Sequence, residues 1–448
     1  MSLYSQWQTM ANFLEQAQTA AHQGNWTQLS QSLQQWLLAD AIAPASQGDF
    51  EQGLRLALTV LEAGDFQSRW EIAKVLPAFG QAAIAPLIDL LQDEEADLES
   101  RWFAARILGQ FDHPDVIETL IGILQTAADE ELTMMAAEAL ANLGSAAIAP
   151  LTTLLQDSTT RLFAVQSMAK IRHPETIPPL LTVVNDPQPT IRAMAIEALG
   201  SFHDPQILPV LIQALTDPAA VVRRTAVATF GVQSNPMMDT DRVSYLSDRL
   251  WDLNLDVCQQ AAIALGRLGT DRAVEALFRV LKSPHTPVPL QLETIRALGW
   301  AETELALECL EQSLALLGEA DTPPFVYQEI VTTLGHWAAP SLQPRASQIL
   351  IDLLHSNHPA IADAPTRQAI ALGLGHLGQI QAIEPLTQLL ADPEIGVQLH
   401  AIAALKTLDL QASLRHLETL SQQDDLSEAM KRGVAIALEE WRRVRSEE

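Results

Sequence analysis

A unit of roughly 30 residues recurs along most of this chain, and self-similarity at a fixed period constrains the fold more than any single motif. The unit is plainest at Ile207 to Gly231, ILPVLIQALTDPAAVVRRTAVATFG, and at Ile177 to Gly200, IPPLLTVVNDPQPTIRAMAIEALG. Each reads as two apolar helical stripes joined by an Asp-Pro turn. In the first helix Leu208, Leu211, Ile212 and Leu215 share one face, and in the second Val222, Ala226 and Phe230 do the same. Prolines near the start of first helices (Pro86, Pro150, Pro209, Pro385) sit where an amide has no intrahelical partner to lose. Glycines at 80, 109, 144, 200, 231, 266, 299 and 335 are expected to close second helices in a left-handed turn. Small residues such as Ala104, Ala136, Ala226 and Ala403 would let the next layer approach closely.

Such a helix pair cannot bury its stripe alone, so neighbours must stack into a continuous core. The expected fold is therefore all-α, a right-handed α-solenoid of about eleven helix pairs. Residues 1–49 carry no lysine or arginine, but Leu14, Leu29, Leu33, Trp36 and Leu37 form helical stripes, so they are read as an N-terminal helical cap. Residues 50–408 form the array and 409–448 its C-terminal capping helices, ending on a stripe of Met430, Val434, Ile436, Leu438 and Trp441. The longest irregular stretches, Gln233 to Arg242, Ser283 to Leu290, Gly318 to Pro324 and Ser356 to Pro365, are expected as loops within that array.

Charge excludes one class of partner. The formal net charge of −28 creates a field that repels phosphate backbones, so no nucleic acid is expected. No apolar run is long enough for a membrane span, and the first lysine or arginine is Arg55, so no membrane insertion or export signal is expected and the cytoplasm is the expected location. Cys258 and Cys309 lie inside helical stripes without metal-ligand spacing and read as core thiols. Acidic clusters at residues 93–99 and 129–131 read as solvated turn edges, with docking of a basic partner as the alternative.

Catalytic patterns are sparse. GLGHLG at 373–378 matches a dinucleotide-binding pattern as text, but it ends a helix where that pattern needs a preceding strand. His355 and His358, with Asp363 nearby, lack further ligands, so neither a metal nor a cofactor is expected. His113, His173 and His203 occupy equivalent turns, while His336 and His376 follow closing glycines. Turn and cap hydrogen bonding accounts for both sets. Arg69, Arg101, Arg161, Arg192, Arg223 and Arg367 open second helices a few residues after aspartates, which points to an Asp-to-Arg ladder between repeats.

The most specific contact signal is aromatic. Arg69-Trp70 and Arg101-Trp102 fall in the frames SRWEIAKVL and SRWFAARIL, which would place two indoles one repeat apart on the same side. They either fill core or point into the concave surface, where Trp and Arg are favoured partner anchors, and Arg69, Trp70, Arg101, Trp102 and Arg106 are the candidate binding residues.

The pattern PLxxLLxD, a turn, then Arg-xx-Ala-xx-Ala-Leu-Gly, as at Pro179 to Gly200, resembles short HEAT repeats of the type shared with the E/F phycobilin lyases. The frame ESRWFAARILGQF, Glu99 to Phe111, is similar to second helices of that lyase-like group. The resemblance implies HEAT-like helix pairs and a phycobilisome context, with phycobiliprotein subunits or a second HEAT subunit as partners. It also implies, as an alternative to a non-catalytic scaffold or assembly factor, a bilin lyase or chromophore chaperone with bilin as its ligand. A metal-dependent oxidoreductase is the remaining alternative. Another HEAT enzyme, deoxyhypusine hydroxylase, uses adjacent His-Glu pairs, and no His-Glu dipeptide occurs here.

Overall fold

The computed structural model describes residues 3–40, 46–126, 129–232, 239–317, 322–423 and 425–447. Among them every regular element is helical and no strand is present. The chain divides into two compact units, Met1–Val210 and Leu211–Glu448, with the boundary inside the helix Ile207–Ala214.

In the N-terminal unit the helices Leu3–His22 and Trp26–Asp40 precede the repeats. Their apolar stripe is buried: Leu29, Leu33 and Trp36 are all but inaccessible, the Trp36 ring stacks on Phe79 at 6.1 Å, and Phe50 packs edge-on against Phe79 at 5.2 Å. The repeats then alternate short first helices, such as Ile84–Gln92 and Ile148–Leu154, with second helices Phe66–Ala73, Leu98–Leu108, Glu130–Asn142, Arg161–Lys170 and Pro189–Leu199. The prolines stand near the starts of first helices as the sequence reading expects: Pro86 and Pro150 are each the third residue of theirs. Aspartates mark second-helix starts, with Asp65, Asp97 and Asp129 each accepting the amide three residues on.

In the C-terminal unit the second helices are Ala220–Val232, Leu255–Leu268, Val288–Ala301, Pro324–Gly335, Ala364–Leu377 and Ile395–Leu408. The closing helix Glu428–Glu447 buries Val434 and Trp441, and the Trp441 indole donates to the Leu410 carbonyl oxygen at 3.3 Å. Residues 233–238 and 318–321, within two stretches expected as loops, lie outside the described residues. Of the other two expected loops, Ser283 to Leu290 is a turn up to the helix start at Val288, while Ser356 to Pro365 contains a 3-10 turn, Pro359–Ala362.

The glycines need a different explanation from the left-handed turn expected of them. Of the eight named, only Gly80 and Gly144 have positive φ, at 59° and 63°. Gly109 and Gly200 are right-handed C-caps. Most of the others are required by close approach: a Cβ on Gly109 would lie 2.7 Å from Ala139 Cα, one on Gly266 2.8 Å from Ala297 Cα, and one on Gly335 2.5 Å from Gly373 Cα. Consecutive second helices thus touch backbone to backbone at these residues, and the small partners at Ala139 and Ala297 are the other half of each contact. Positive φ at a helix end occurs also at Gly269, Gly378 and, unusually, Glu302 at φ 50°. A side chain in that region costs about 1 kcal/mol, so Glu302→Gly is expected to raise the urea midpoint of unfolding by a corresponding amount.

An aspartate-arginine ladder joins successive repeats at Arg69, Arg161, Arg223 and Arg367 as the sequence reading expects, whereas Arg101 bonds a backbone carbonyl instead. Arg161 reaches Asp186 at 2.7 Å, Arg223 reaches both oxygens of Asp252 at 2.8 and 2.6 Å, and Arg367 both oxygens of Asp392 at 2.6 and 3.0 Å. The carboxylates also organise their own turns, since Asp186, Asp252 and Asp392 accept the amides of Gln188, Asn254 and Glu394. Each therefore satisfies orphan amides of one repeat and the guanidinium of the previous one. The ladder raises the pKa of Arg223 and Arg367 chiefly through these hydrogen bonds. Burial pushes Asp252 up, but the Arg223 hydrogen bonds and the Asn254 amide outweigh it and hold the carboxyl below the usual range.

Candidate functional site

The five arginine and tryptophan residues singled out by sequence separate into two groups. Arg69 is almost wholly buried and belongs to the ladder: its guanidinium donates to both Asp97 oxygens at 2.9 Å, to Glu99 and to the Glu62 carbonyl oxygen at 3.1 Å. Arg101 donates through Nε to the Leu91 carbonyl oxygen at 2.9 Å, closing the first helix of its own repeat. Neither joins the indoles.

Trp70, Trp102 and Arg106 do come together, for reasons of register. Trp70 lies five residues after the capping Asp65 and Trp102 five after the capping Asp97, so the indoles occupy the same position on neighbouring second helices. Arg106 follows Trp102 by four residues and so projects from the same helix face. Its guanidinium carbon lies 4.5 Å from the centroid of Trp70 and 5.6 Å from that of Trp102. Phe66 stacks on Trp70 at 6.3 Å, and Phe103 packs edge-on against Trp102 at 4.9 Å. Both indoles are half-buried, neither sealed between repeats nor free in solvent. Among the described residues Arg106 has no carboxylate partner, so its charge is held by ring faces while its N–H groups stay available.

Trp102 also lines a groove of about 810 Å³ built by successive second helices of the N-terminal unit. Met134, Met135 and Met194 supply its apolar wall, and Met134 is 52% exposed. Glu131 and Glu197 stand on its rim with Lys170 and Arg172, and Lys170 pairs with Glu138 at 3.3 Å. Flexible thioethers beside an aromatic anchor suit a surface that adapts to a partner. The sequence reading missed the methionines, although a signal existed: Met134 follows the capping Asp129 by five residues, the spacing of Trp70 and Trp102 from their aspartates. A second groove of about 1030 Å³, between first helices of the same unit, has Ile88 and Ile121 in its wall and Asp89, Glu94, Asp115 and Glu118 around it.

Other candidate chemistry is accounted for locally. Cys258 and Cys309 are buried, and burial pushes their thiols up, that of Cys309 to about 11, so both stay protonated at neutral pH. His355 and His358 turn to different partners, Gln388 at 3.1 Å and the Leu314 carbonyl oxygen at 2.8 Å. His113 and His173 accept the amides of Asp115 and Glu175 through Nδ1. The GLGHLG segment lies in the helix Ala364–Leu377 and ends on the left-handed Gly378. Among the described residues no group of three or more His, Cys, Asp or Glu could hold a metal ion, and no single helix is long and apolar enough to cross a membrane.

No curated protein matches the chain. Among solved structures it is similar to importin beta in an ammonium sulfate condition, at 14% identity and a TM-score of 0.50, covering 94% of this chain and 63% of that one. It is also similar to Kap95p, whose structure concerns the switch loops of RanGDP, at 14% identity and a TM-score of 0.49, covering 93% of this chain and 58% of that one. The chain thus spans less than two thirds of the length of either. Human deoxyhypusine hydroxylase in complex with glycerol aligns at 19% identity over 62% of this chain and 97% of that one, with a TM-score of 0.26. These likenesses concern the fold alone. A PBS lyase HEAT-like repeat matches residues 257–283. HEAT repeats match residues 54–141, 84–163, 148–231 and 361–439, which together exceed half of the sequence, and the chain belongs to the HEAT-repeat family.

Proposed function

We propose that this HEAT-repeat chain is a non-catalytic interaction scaffold that holds a protein partner on the second-helix face of its N-terminal unit. The observation that carries the reading is the guanidinium of Arg106 lying against two half-buried indoles at the edge of a methionine-lined groove. Trp and Arg are the side chains that most often dominate binding energy, and here they are preorganised by mutual stacking before any partner arrives. Glu131, Glu197, Lys170 and Arg172 form a polar rim of mixed sign that would set orientation. The matched PBS lyase HEAT-like repeat supports a phycobilisome setting, with phycobiliprotein subunits as the partner class.

A bilin lyase or chromophore chaperone is the second reading, and one observation favours it. The groove volume falls within the range of about 300–1,000 Å³ usual for small-molecule sites, with Arg172 and Lys170 placed to meet propionates. On the scaffold reading, replacing Trp70 and Trp102 together by alanine weakens partner binding by at least about tenfold, since each anchor of this kind is worth roughly 2 kcal/mol. Far-ultraviolet circular dichroism stays as in the wild type, because both indoles stand outside the inter-helix core. Unchanged affinity in the double variant would remove this face from the account.

A further inference from the structure

We propose that His336 and His376 form an open two-histidine site for a divalent first-row transition metal ion on the C-terminal unit. Each follows the Leu-Gly pair near the end of its second helix, Leu334-Gly335-His336 and Leu374-Gly375-His376, so the repeat places them at equivalent positions. The earlier repeats carry Arg267 and Trp300 at that position. The close approach of the two helices at Gly335 and Gly373 draws the imidazoles together, with ring centroids 4.9 Å apart and planes inclined by 57°. Both rings are exposed.

The tautomer of one ring is set by its surroundings. His336 Nδ1 lies 2.8 Å from the Thr332 carbonyl oxygen, which can only accept, so Nδ1 carries the proton and Nε2 keeps its lone pair. This is the arrangement by which a backbone carbonyl orients a metal-binding imidazole. His376 has no hydrogen-bond partner among the described residues and is free to turn towards the same ion. Metal–nitrogen bonds of about 2.0–2.1 Å require nitrogens roughly 2.9 Å apart at a right angle, as Ni²⁺ favours, or roughly 3.4 Å apart at a tetrahedral one, both within reach of two rings at this separation. No third His, Cys, Asp or Glu completes the set among the described residues, so the remaining positions belong to water or to a donor from another molecule. The net charge of −28 favours cations over the whole surface.

The test is calorimetric titration of Ni²⁺ into the full, tag-free chain after dialysis against a chelator, with His336→Ala, His376→Ala and His285→Ala in parallel. The site predicts one dominant binding event in the wild type. Either paired-histidine variant weakens it by more than about tenfold, a loss at least as large as that of an outer-shell partner. The solitary exposed His285 is dispensable. Absence of binding by the wild type, or equal binding by the two paired-histidine variants and the wild type, overturns the proposal.

Discussion

Gly335→Ala destabilises the C-terminal unit by roughly 1–3 kcal/mol, although alanine is the better helix former. The added methyl would sit 2.5 Å from Gly373 Cα and 3.5 Å from its nitrogen, both backbone atoms of the neighbouring helix. Neither can swing aside as a side chain would, so the helices Pro324–Gly335 and Ala364–Leu377 must move apart, and the loss of packing along them outweighs the gain in propensity. Gly122→Ala is the matched control. It lies within the helix Pro114–Thr126, where an added Cβ meets nothing within 4 Å, so the same exchange is expected to stabilise by about 0.5–1 kcal/mol. Urea denaturation of both variants checks the pair. Equal effects at the two glycines would show that propensity, and not helix approach, governs these positions.

Asp252→Ala is expected to cost about 3 kcal/mol, because removing one member of a buried pair leaves the other uncompensated. Asp252 is 5% exposed and takes both the Nε and Nη2 donors of Arg223, while also accepting the Asn254 amide that starts the next helix. Arg223 keeps its bonds to the carbonyl oxygens of Asp217 and Pro218, which limits the loss. Changing Arg223 and Asp252 together to apolar residues should cost less than the two single changes added, which a double-mutant cycle measures.

The same ladder predicts an acid response. The carboxyl of Asp97 is pushed up by burial but held below its usual range, on balance, by Ser100 and Arg69, and that of Asp252 is likewise depressed. A carboxylate whose folded pKa is depressed stabilises the fold fully above its unfolded value near about 3.9 and ceases to do so as pH falls through the folded one. Stability should therefore be flat above about pH 5 and fall below about pH 4, with a smaller fall in Asp252→Ala.

The repeat, its helical pairs and the ladder are legible because they are periodic: arginines such as Arg161 and Arg223 open second helices four to six residues after an aspartate, and a periodic chain must place them alike. Gly80 and Gly144 have the positive φ expected of closing glycines, whereas the need at Gly266 or Gly335 arises from a helix roughly one repeat away, which a local turn rule does not reach. The indoles were read as neighbours, and they are. Sequence places Arg69 both in the ladder and among the binding candidates; adjacent residues such as Arg69 and Trp70 leave a helix in different directions, so Arg69 serves the ladder while Arg106 meets the rings. Met134 was overlooked because methionine in an apolar stripe looks like core until its distance from Asp129 is set beside that of Trp102 from Asp97.

A protein partner held at Trp70, Trp102 and Arg106 is checked by equilibrium binding of purified phycobiliprotein subunits, with and without bilin, to the full chain and to the Trp70→Ala, Trp102→Ala double variant. Both forms are expected to bind saturably, with affinity falling at least about tenfold in the variant. Binding of equal strength to wild type and variant, or none to either, would contradict it, and binding confined to the bilin-carrying form would favour the chromophore reading of the same groove.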